Sequence, residues 1–564
     1  MFNKRVTISA FVSWGLMVAA LPLAKAGAPP ALCDHLPPLP PPLGNVIDKI
    51  CTVRGSSTGI VKGDFNGDGI ADLAVGVPGR DLALIFGAGK GQQEPLPNAG
   101  AVQIIYGTTA SGLAASGSTI PSSQFIHLRT TVFGLGPVAA SGDQFGAALA
   151  SGDFNGDGFT DLAVGMPGRT ASGFSGEVAV FMGSGAGLST TPSVVFAPST
   201  FYPSNASTSN PAPGAAYSLT WGDFNGDGFG DLAVASNYCE PALCNSFSSQ
   251  TAQITFLFGS ATGLTTNGSA GIQLRPTILF PSAAVTASKL VLSAADFNRD
   301  GFTDLVAGFP KQTVTLTGNA SDGIPEAGAV HVFFGSSSGP TTVNQQVFLE
   351  PHLGIGNLFG SSLAVGDFNG DGLLDLAAGA PGAGNNAGQV QIIRGSTSGL
   401  QSVAETLTRA NIGQGSGVSG DLFGQALAAN DFNHDGFADL AIGSPGFAIS
   451  GLANAGAVFE VFGSTASLSI ATNPAQKFTR LGGVAAGDQF GLSLSAWNYG
   501  RSAHADLAVG VPFATENGNA QAGEVNVFYG SSTGLQPITG AQIWTVLASG
   551  NLPLAGDHFG LTVY

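Results

Sequence analysis

Charged side chains are scarce in this sequence of 564 residues, and those present carry an excess of negative charge. Only 10% of the residues are charged, and the formal net charge is −17. The nineteen basic residues are thinly scattered, so they offer no patch for nucleic acid or for an anionic membrane surface. The hydrophobic share of 44%, with so few charges, argues against intrinsic disorder because there is ample apolar surface to bury. Composition alone does not explain why so lightly charged a chain is acidic.

Cysteine and histidine are also rare, with four and seven residues. The histidines show no recurring partner and no metal-site spacing, and no Gly-x-Ser-x-Gly elbow precedes a helix, which argues against the commonest hydrolase chemistry. The cysteines form two local pairs, Cys33/Cys51 and Cys239/Cys244, without neighbours typical of a zinc site. Three pairings are open, and we predict the two local disulfides for an exported chain.

Long apolar runs are confined to the N-terminus. Lys4 and Arg5 precede an apolar stretch that ends near Leu23, and residues 24–26 read Ala-Lys-Ala, a small-residue cleavage site. We predict a signal peptide over residues 1–26; the alternative is an uncleaved anchor, because the stretch is long enough to span a membrane. The mature chain is then expected outside the cell, secreted, periplasmic or at the cell surface, with no stable membrane span. Residues 27–51 are proline-rich and predict a stiff spacer.

The string Asp-Phe-Asn-x-Asp-Gly-x-x-Asp-Leu occurs six times, which predicts a repeat architecture over residues 52–564. Each copy sits among four short strand signals, one before the string and three after it, with no helical period. Prolines such as Pro78 and Pro167 are expected to end the second strand. We predict an all-β seven-bladed β-propeller of four-stranded antiparallel blades. A β-solenoid is the alternative, but it would need end caps that the sequence does not show.

The repeated string places oxygen ligands at alternating positions around a tight turn, which suits the flexible coordination of Ca²⁺. Positions 1, 3, 5 and 9 carry side-chain oxygens, and position 7 can offer its backbone carbonyl. The flanks read as strands and position 12 carries no glutamate, so the loops are not EF-hands. An Asx-rich turn that binds nothing is the plain alternative, and six complete copies argue against it. The predicted ligands of the six sites are Asp64, Asn66, Asp68, Ile70 and Asp72; Asp153, Asn155, Asp157, Phe159 and Asp161; Asp223, Asn225, Asp227, Phe229 and Asp231; Asp296, Asn298, Asp300, Phe302 and Asp304; Asp367, Asn369, Asp371, Leu373 and Asp375; and Asp431, Asn433, Asp435, Phe437 and Asp439.

A seventh, degenerate copy is predicted to start at Ala496 and to reach Asp506 after a two-residue insertion. It lacks the first carboxylate, so we expect no calcium there, and we expect Arg501 to replace the cation by pairing with Asp506. The acidity of the chain thereby has an explanation, since three aspartates in each of six loops make 18 of its 36 acidic residues.

These motifs resemble FG-GAP repeats, the units of the integrin α-subunit propeller. Phe-Gly precedes the first strand at Phe145, Phe359, Phe423 and Phe490, and the Gly-Ala-Pro element stands at residues 379–381. The six acidic loops match the calcium loop of that family residue for residue. The resemblance implies the propeller fold and calcium binding. The short signal and bare repeat array resemble a secreted bacterial protein, and nothing resembles the integrin legs or membrane helix.

The expected function is adhesion or another interaction with an extracellular protein or glycan. If the calcium loops join strands one and two, the variable two-to-three and four-to-one connections share the opposite face, where recognition is expected. Tyr202, Tyr238 and Phe247 are candidate anchors there, although each could instead pin its own loop. The alternative function is a calcium-dependent extracellular hydrolase or lyase that uses the propeller face.

The last residues, 556–564, repeat the opening of a blade, whereas blade 1 lacks its own Phe-Gly. We expect this segment to complete blade 1 and close the ring; the alternative is a fragment of a longer array.

Overall fold

A computed structural model shows seven small antiparallel sheets arranged in a ring, which confirms the predicted seven-bladed β-propeller. The structure describes residues 61–85, 93–114, 123–128, 138–171, 174–202, 214–239, 250–266, 290–315, 322–470, 473–537, 540–546 and 553–562. Within these ranges helical structure is confined to short turns, among them a 3-10 turn at Pro198–Thr200 and one helical turn at Ala383–Asn386. The predicted signal peptide, the proline-rich segment, Cys33, Cys51, Cys244 and Phe247 lie outside the described residues, so the predictions that rest on them are untested.

Within each blade, the strands lie side by side in chain order, from the first strand at the centre outward to the rim, and the described residues include four strands of every blade except blade 3, where they include three. In blades 1 to 3 these strands are β1 (Val61–Gly63), β2 (Asp72–Val77), β5 (Ala101–Ile105) and β6 (Gln124–Ile126); β7 (Ala148–Gly152), β8 (Asp161–Ala171), β9 (Phe174–Phe181) and β10 (Val194–Phe196); and β11 (Ala215–Gly222), β12 (Asp231–Cys239) and β13 (Gln250–Leu257). In blades 4 and 5 they are β14 (Val291–Ala295), β15 (Asp304–Phe309), β18 (Ala329–Phe333) and β19 (Gln346–Phe348); and β20 (Leu363–Gly366), β21 (Asp375–Ala380), β22 (Gln389–Ile393) and β23 (Val403–Leu407). In blades 6 and 7 they are β24 (Ala426–Asn430), β25 (Asp439–Ser444), β26 (Ala457–Val461) and β27 (Gln476–Phe478); and β28 (Ser493–Trp497), β29 (Asp506–Val511), β30 (Glu524–Phe528) and β31 (Gln542–Trp544).

Two small hairpins extend the connections between second and third strands. They are β3 (Leu82–Ile85) with β4 (Gln93–Leu96) in blade 1, and β16 (Val314–Thr315) with β17 (Gly323–Ile324) in blade 4. Both hairpins fall in connections that the sequence marks as variable.

The first strands contact one another in succession, and β28 of blade 7 returns to β1 of blade 1, so the ring is closed. The hydrophobic core lies between blades rather than within one. At the closing seam, Leu73 and Val75 of blade 1 pack with Val525 and Val527 of blade 7, all of them buried. Because each blade buries one face against each neighbour, a blade has no independent core.

Where it occurs, the Phe-Gly motif docks its blade on the preceding one. The Phe145 N–H of blade 2 donates to the Ala99 carbonyl of blade 1 at 3.0 Å, and the Phe145 ring packs edge-on against Phe181. Gly100, with φ of +85°, approaches this backbone so closely that a Cβ there would collide with Phe145. The pairing therefore explains why Gly-Ala-Val recurs at the start of third strands.

The C-terminal segment occupies the Phe-Gly position of blade 1, as the sequence predicted. The Phe559 N–H donates to the Ala522 carbonyl of blade 7 at 3.0 Å, and the Phe559 side chain is fully buried. The Thr562 hydroxyl donates to the Gly146 carbonyl at 3.1 Å. Serine hydroxyls do the same at two other junctions, where Ser362 donates to Gly424 at 2.7 Å and Ser493 donates to Gly560 at 2.7 Å.

One predicted strand end is wrong. The second strand of blade 2 does not stop at Pro167 but continues to Ala171, paired with β9. The register shifts between Met166 and Thr170, so the proline lies in an irregular stretch where its missing N–H is tolerated. In the other blades for which such a proline is predicted to end the second strand, the strand does end before the proline, as at Val77 before Pro78.

Candidate metal-binding loops

Each acidic loop joins the first and second strands of its blade, and we number the loops 1 to 7 with their blades. Position 9 begins the second strand and is fully buried in every loop. In loop 2, the Asp161 carboxylate accepts the Phe154 N–H at 3.0 Å and the Gly183 N–H at 2.9 Å. Position 9 thus ties the loop to the end of the third strand. The corresponding aspartates of the other loops, which accept the same two bonds, are Asp72, Asp231, Asp304, Asp375, Asp439 and Asp506.

The side chains at positions 1, 3 and 5 turn inward, toward the backbone of their own loop. In loop 2, Asp153 accepts the N–H groups of Gly156, Asp157 and Gly158 at 2.7 to 3.1 Å. Asn155 accepts the Asp157 N–H at 3.0 Å, and Asp157 accepts the N–H of position 7 at 3.0 Å. Four of these bonds recur in the other five acidic loops. Position 1 accepts the N–H groups of positions 5 and 6, position 3 accepts the N–H of position 5, and position 5 accepts the N–H of position 7.

Burial makes the negative charges of these loops costly. Desolvation raises the pKa of Asp64 at position 1 to about 6, and that of Asp161 at position 9 to about 7. Burial likewise raises the pKa of Asp231 and of Asp439 to about 8, opposed by their backbone hydrogen bonds and reinforced by the neighbouring aspartates of the loop. A cation in the loop would offset this repulsion.

The donor chemistry of the loops fits a hard cation, because side-chain oxygens and backbone carbonyls are the ligands on offer. Within the described ranges, no three His, Cys, Asp or Glu side chains converge as a ready ligand set. The carboxylates are instead engaged by the loop's own N–H groups. Calcium coordination by positions 1, 3, 5, 7 and 9 therefore stays a prediction.

Loop 7 has the same length as the others, so the predicted two-residue insertion is wrong. Trp497 pairs with Asp506 in the register that Gly63 and Asp72 share in blade 1, which makes Asn498 position 1. Positions 3 and 5 are then Gly500 and Ser502. Loop 7 thus has one carboxylate, at position 9.

Arg501 does not pair with Asp506, contrary to the sequence prediction. Its guanidinium lies 3.7 Å from the ring centroid of Tyr529 and donates to the carbonyls of Ser111 at 2.8 Å and Gly540 at 2.5 Å. Because Ser111 belongs to blade 1, the side chain joins blade 7 to blade 1 across the closing seam.

The face opposite the loops holds the two-to-three and four-to-one connections, as predicted from strand direction. Tyr202 is buried there, stacked on Phe174, and its hydroxyl donates to the Ser175 carbonyl at 2.8 Å, so it pins its own loop. The side chain of Tyr238 lies outside the described part. Tyr202 is therefore no longer a candidate anchor for a partner on this face.

Sequence reasoning missed a set of buried Arg–Asp pairs on this face. Each aspartate stands two residues before a Phe-Gly, caps its own connection by accepting a backbone N–H, and meets an arginine with less than a fifth of its side chain exposed. The pairs are Arg80–Asp557, Arg169–Asp143, Arg409–Asp421 and Arg480–Asp488. The recurring Asp-x-Phe-Gly is the signal that could have found them.

Fold and loops together define a closed propeller with Asp-rich loops repeated on one face. The FG-GAP repeat model matches residues 58–105, 145–181, 215–238, 291–333, 359–393 and 423–460, so the chain carries six FG-GAP repeats and forms an integrin-α-like β-propeller.

Curated relatives share this repeat region. Integrin alpha-PS5 of Drosophila melanogaster is 37% identical over 186 residues, which cover 33% of this chain and 17% of the relative. Phosphatidylinositol-glycan-specific phospholipase D of Rattus norvegicus is 35% identical over 184 residues, 29% of this chain and 20% of the relative. The chain thus matches about a fifth or less of the length of either relative.

Among solved structures, a rhamnogalacturonan lyase of Bacillus licheniformis aligns over 87% of this chain and 74% of its own. Its identity is 11% and its TM-score 0.34, too low to bear on function. Within the described residues, no helix is long and apolar enough to cross a membrane.

Proposed function

We propose that this chain is an extracellular calcium-binding β-propeller that serves as an adhesion or protein/glycan interaction module. The observation that carries the calcium part is the set of four hydrogen bonds shared by six loops, which turns oxygen side chains at positions 1, 3 and 5 into each loop. Loop 7, which has lost the carboxylates of positions 1 and 5, keeps only position 9.

When bound, Ca²⁺ would supply positive charge and bridge oxygen ligands in each loop. At a dissociation constant of about 0.1 mM, typical of extracellular sites, about 1 mM calcium stabilises one site by roughly 1.4 kcal/mol. Six such sites together contribute about 8 kcal/mol, comparable with the stability of a typical domain. We therefore expect chelation to lower the melting temperature strongly, and magnesium to restore it poorly. A shift of only a degree or two would contradict calcium binding as a structural feature.

The interaction part is supported by apolar exposure on the opposite face. Of the seven large apolar side chains exposed within the described ranges, four lie in connections of that face: Ile355, Val418, Leu452 and Leu554. Two of the other three, Val343 and Ile470, lie in connections on the calcium side, so apolar exposure is greater on the opposite face, which favours that face as the partner-binding surface.

A glycan array and a pull-down from extracellular protein, each with and without calcium, test the interaction. The double variant I355D/V418D should weaken binding, while V343D, at an apolar position on the calcium side whose exposure lies between those of Ile355 and Val418, should not. Equal effects of the two variants would contradict the assignment of the face. Release of a cleaved product would instead favour the hydrolase or lyase alternative, which the phospholipase D relative keeps open.

A further inference from the structure

Backbone hydrogen bonds join neighbouring loops at six junctions of the ring. The N–H of position 8 donates to the carbonyl of position 1 in the preceding loop, as Thr160 of loop 2 does to Asp64 of loop 1 at 3.1 Å. Position 1 is a predicted ligand, so the bond ties a ligand residue directly to the next loop. The same bond joins Gly230 to Asp153, Thr303 to Asp223, Ala438 to Asp367, Ala505 to Asp431 and Ala71 to Asn498.

A second contact between loops depends on side chains. Position 4 of loop 1 is Gly67, with φ of +70°, and a Cβ there would lie 2.6 Å from the ring of Phe159 at position 7 of loop 2. The ring therefore covers the backbone between two predicted ligands, positions 3 and 5. The other junctions of this kind are Gly156 with Phe229, Gly226 with Phe302, and Gly370 with Phe437.

Three junctions lack this pairing. Between loops 4 and 5, Arg299 replaces the glycine and Leu373 replaces the phenylalanine, and the guanidinium reaches Gly372 of loop 5. Between loops 6 and 7, His434 meets His504 edge-on, with ring centroids 5.7 Å apart. Between loops 7 and 1, Arg501 and Ile70 hold the two positions.

We propose that the position-7 rings divide the six predicted calcium sites into two coupled groups, loops 1 to 4 and loops 5 and 6. Each ring is a positioning residue for the loop before its own, in addition to any ligand role of its carbonyl. The proposal rests on the proposed calcium binding and adds to it an order of coupling that the loop sequence alone does not give.

The physical basis is the cost of ordering a loop. A cation that fixes one loop also fixes its position-7 ring, and the ring restrains position 4 of the preceding loop. The preceding loop then loses less freedom when it binds, which makes binding cooperative within a group. Where a long cationic side chain replaces glycine, as at Arg299, this restraint is missing.

Trp221 allows the coupling to be measured at chosen loops. It stands two residues before Asp223 of loop 3, and a Cβ at Gly152, which precedes loop 2, would lie 2.8 Å from its ring. Terbium bound in loops 2 and 3 should therefore be sensitised by Trp221. The measurement uses the full chain in a W497F background, which removes the tryptophan at the start of loop 7, and follows Tb³⁺ titration and its reversal by Ca²⁺.

The test compares F302L, in the first group, with F437L, the same change in the second. F302L should raise the Tb³⁺ midpoint reported by Trp221 by about fivefold or more, whereas F437L should leave it within about twofold of native. A second pair of variants removes a predicted ligand. D300N in loop 4 should raise the Tb³⁺ midpoint reported by Trp221, and D435N in loop 6 should not.

Far-ultraviolet circular dichroism without metal identifies any variant that fails to fold. If a variant of one pair fails to fold, the other pair tests the coupling. Equal midpoints in the first-group and second-group variants would overturn the coupling. If the native chain gives neither sensitised luminescence nor a thermal shift with calcium, the proposed calcium binding itself fails, which is a distinct result.

Discussion

The carboxylate of Asp506 accepts the backbone N–H of Tyr499 at 2.8 Å, in the one loop that lacks the other carboxylates of the motif. The same carboxylate accepts the Gly530 N–H at 2.9 Å. Both bonds match those of position 9 in the six acidic loops. Position 9 therefore has a structural role that does not depend on a metal, because it satisfies two buried N–H groups where the loop meets the sheet.

Replacing Asp506 with alanine should accordingly destabilise the protein whether or not calcium is present. Two buried N–H groups lose their acceptor, which costs about 3 kcal/mol in the free energy of unfolding. Denaturant unfolding with calcium and with chelator measures this. D157N in loop 2 is the control, since it should destabilise the protein only in calcium; a D506A loss confined to calcium would contradict the structural role.

Arg501 closes the seam between blades 7 and 1. R501A removes a guanidinium stacked on Tyr529 and its bonds to Ser111 and Gly540, so we expect a loss of about 1–2 kcal/mol that chelation does not change. R501K keeps the charge but loses the planar fork, and should recover only part of the loss. Full recovery in R501K would show that charge near Asp506 is what counts, as the sequence prediction held.

The sequence predicts the repeats, strand order and two faces because each rests on a local pattern that every blade repeats. The sequence prediction is wrong at loop 7, because it aligns Trp497-Asn498 with the Phe-Asn at positions 2 and 3 of the motif. The true anchor is the eight-residue distance back from Asp506, which the bond to Tyr499 fixes. The sequence does not reveal the buried Arg–Asp pairs for another reason, which is that their arginines occupy different places. Arg80 follows a second strand and Arg169 lies near the end of one, whereas Arg409 and Arg480 follow fourth strands, so no single spacing marks the pairs.

The C-terminal segment is expected to hold the ring shut. F559A empties a fully buried position on blade 7 and should cost about 3–5 kcal/mol, while deletion of residues 556–564 should abolish cooperative unfolding. F490A, the equivalent residue between blades 6 and 7, is the matched control for the cavity alone. A deletion that costs no more than F490A and still unfolds in one transition would show that closure does not depend on this segment.

Glu350 should make stability depend on pH near neutrality. It is buried between blades 4 and 5, where Asn357 donates to it at 2.5 Å and Gln389 also donates. Burial raises its pKa from about 4.5 to about 7, against the opposing effect of the Asn357 bond. As pH rises from 4.5 to 7, the unfolded chain releases this proton before the folded one does, so stability is lost over that window.

E350Q removes this ionisation while its amide oxygen can still accept a hydrogen bond. The variant should match the native protein below pH 4.5 and exceed its free energy of unfolding by an amount of order 2 kcal/mol above pH 7. Calcium-loop titration affects both proteins alike, so the difference between their pH profiles isolates Glu350. Profiles that stay parallel from pH 4 to pH 8 would mean that Glu350 ionises in the folded protein as easily as in the unfolded chain, and that its two amide partners already offset the cost of burial.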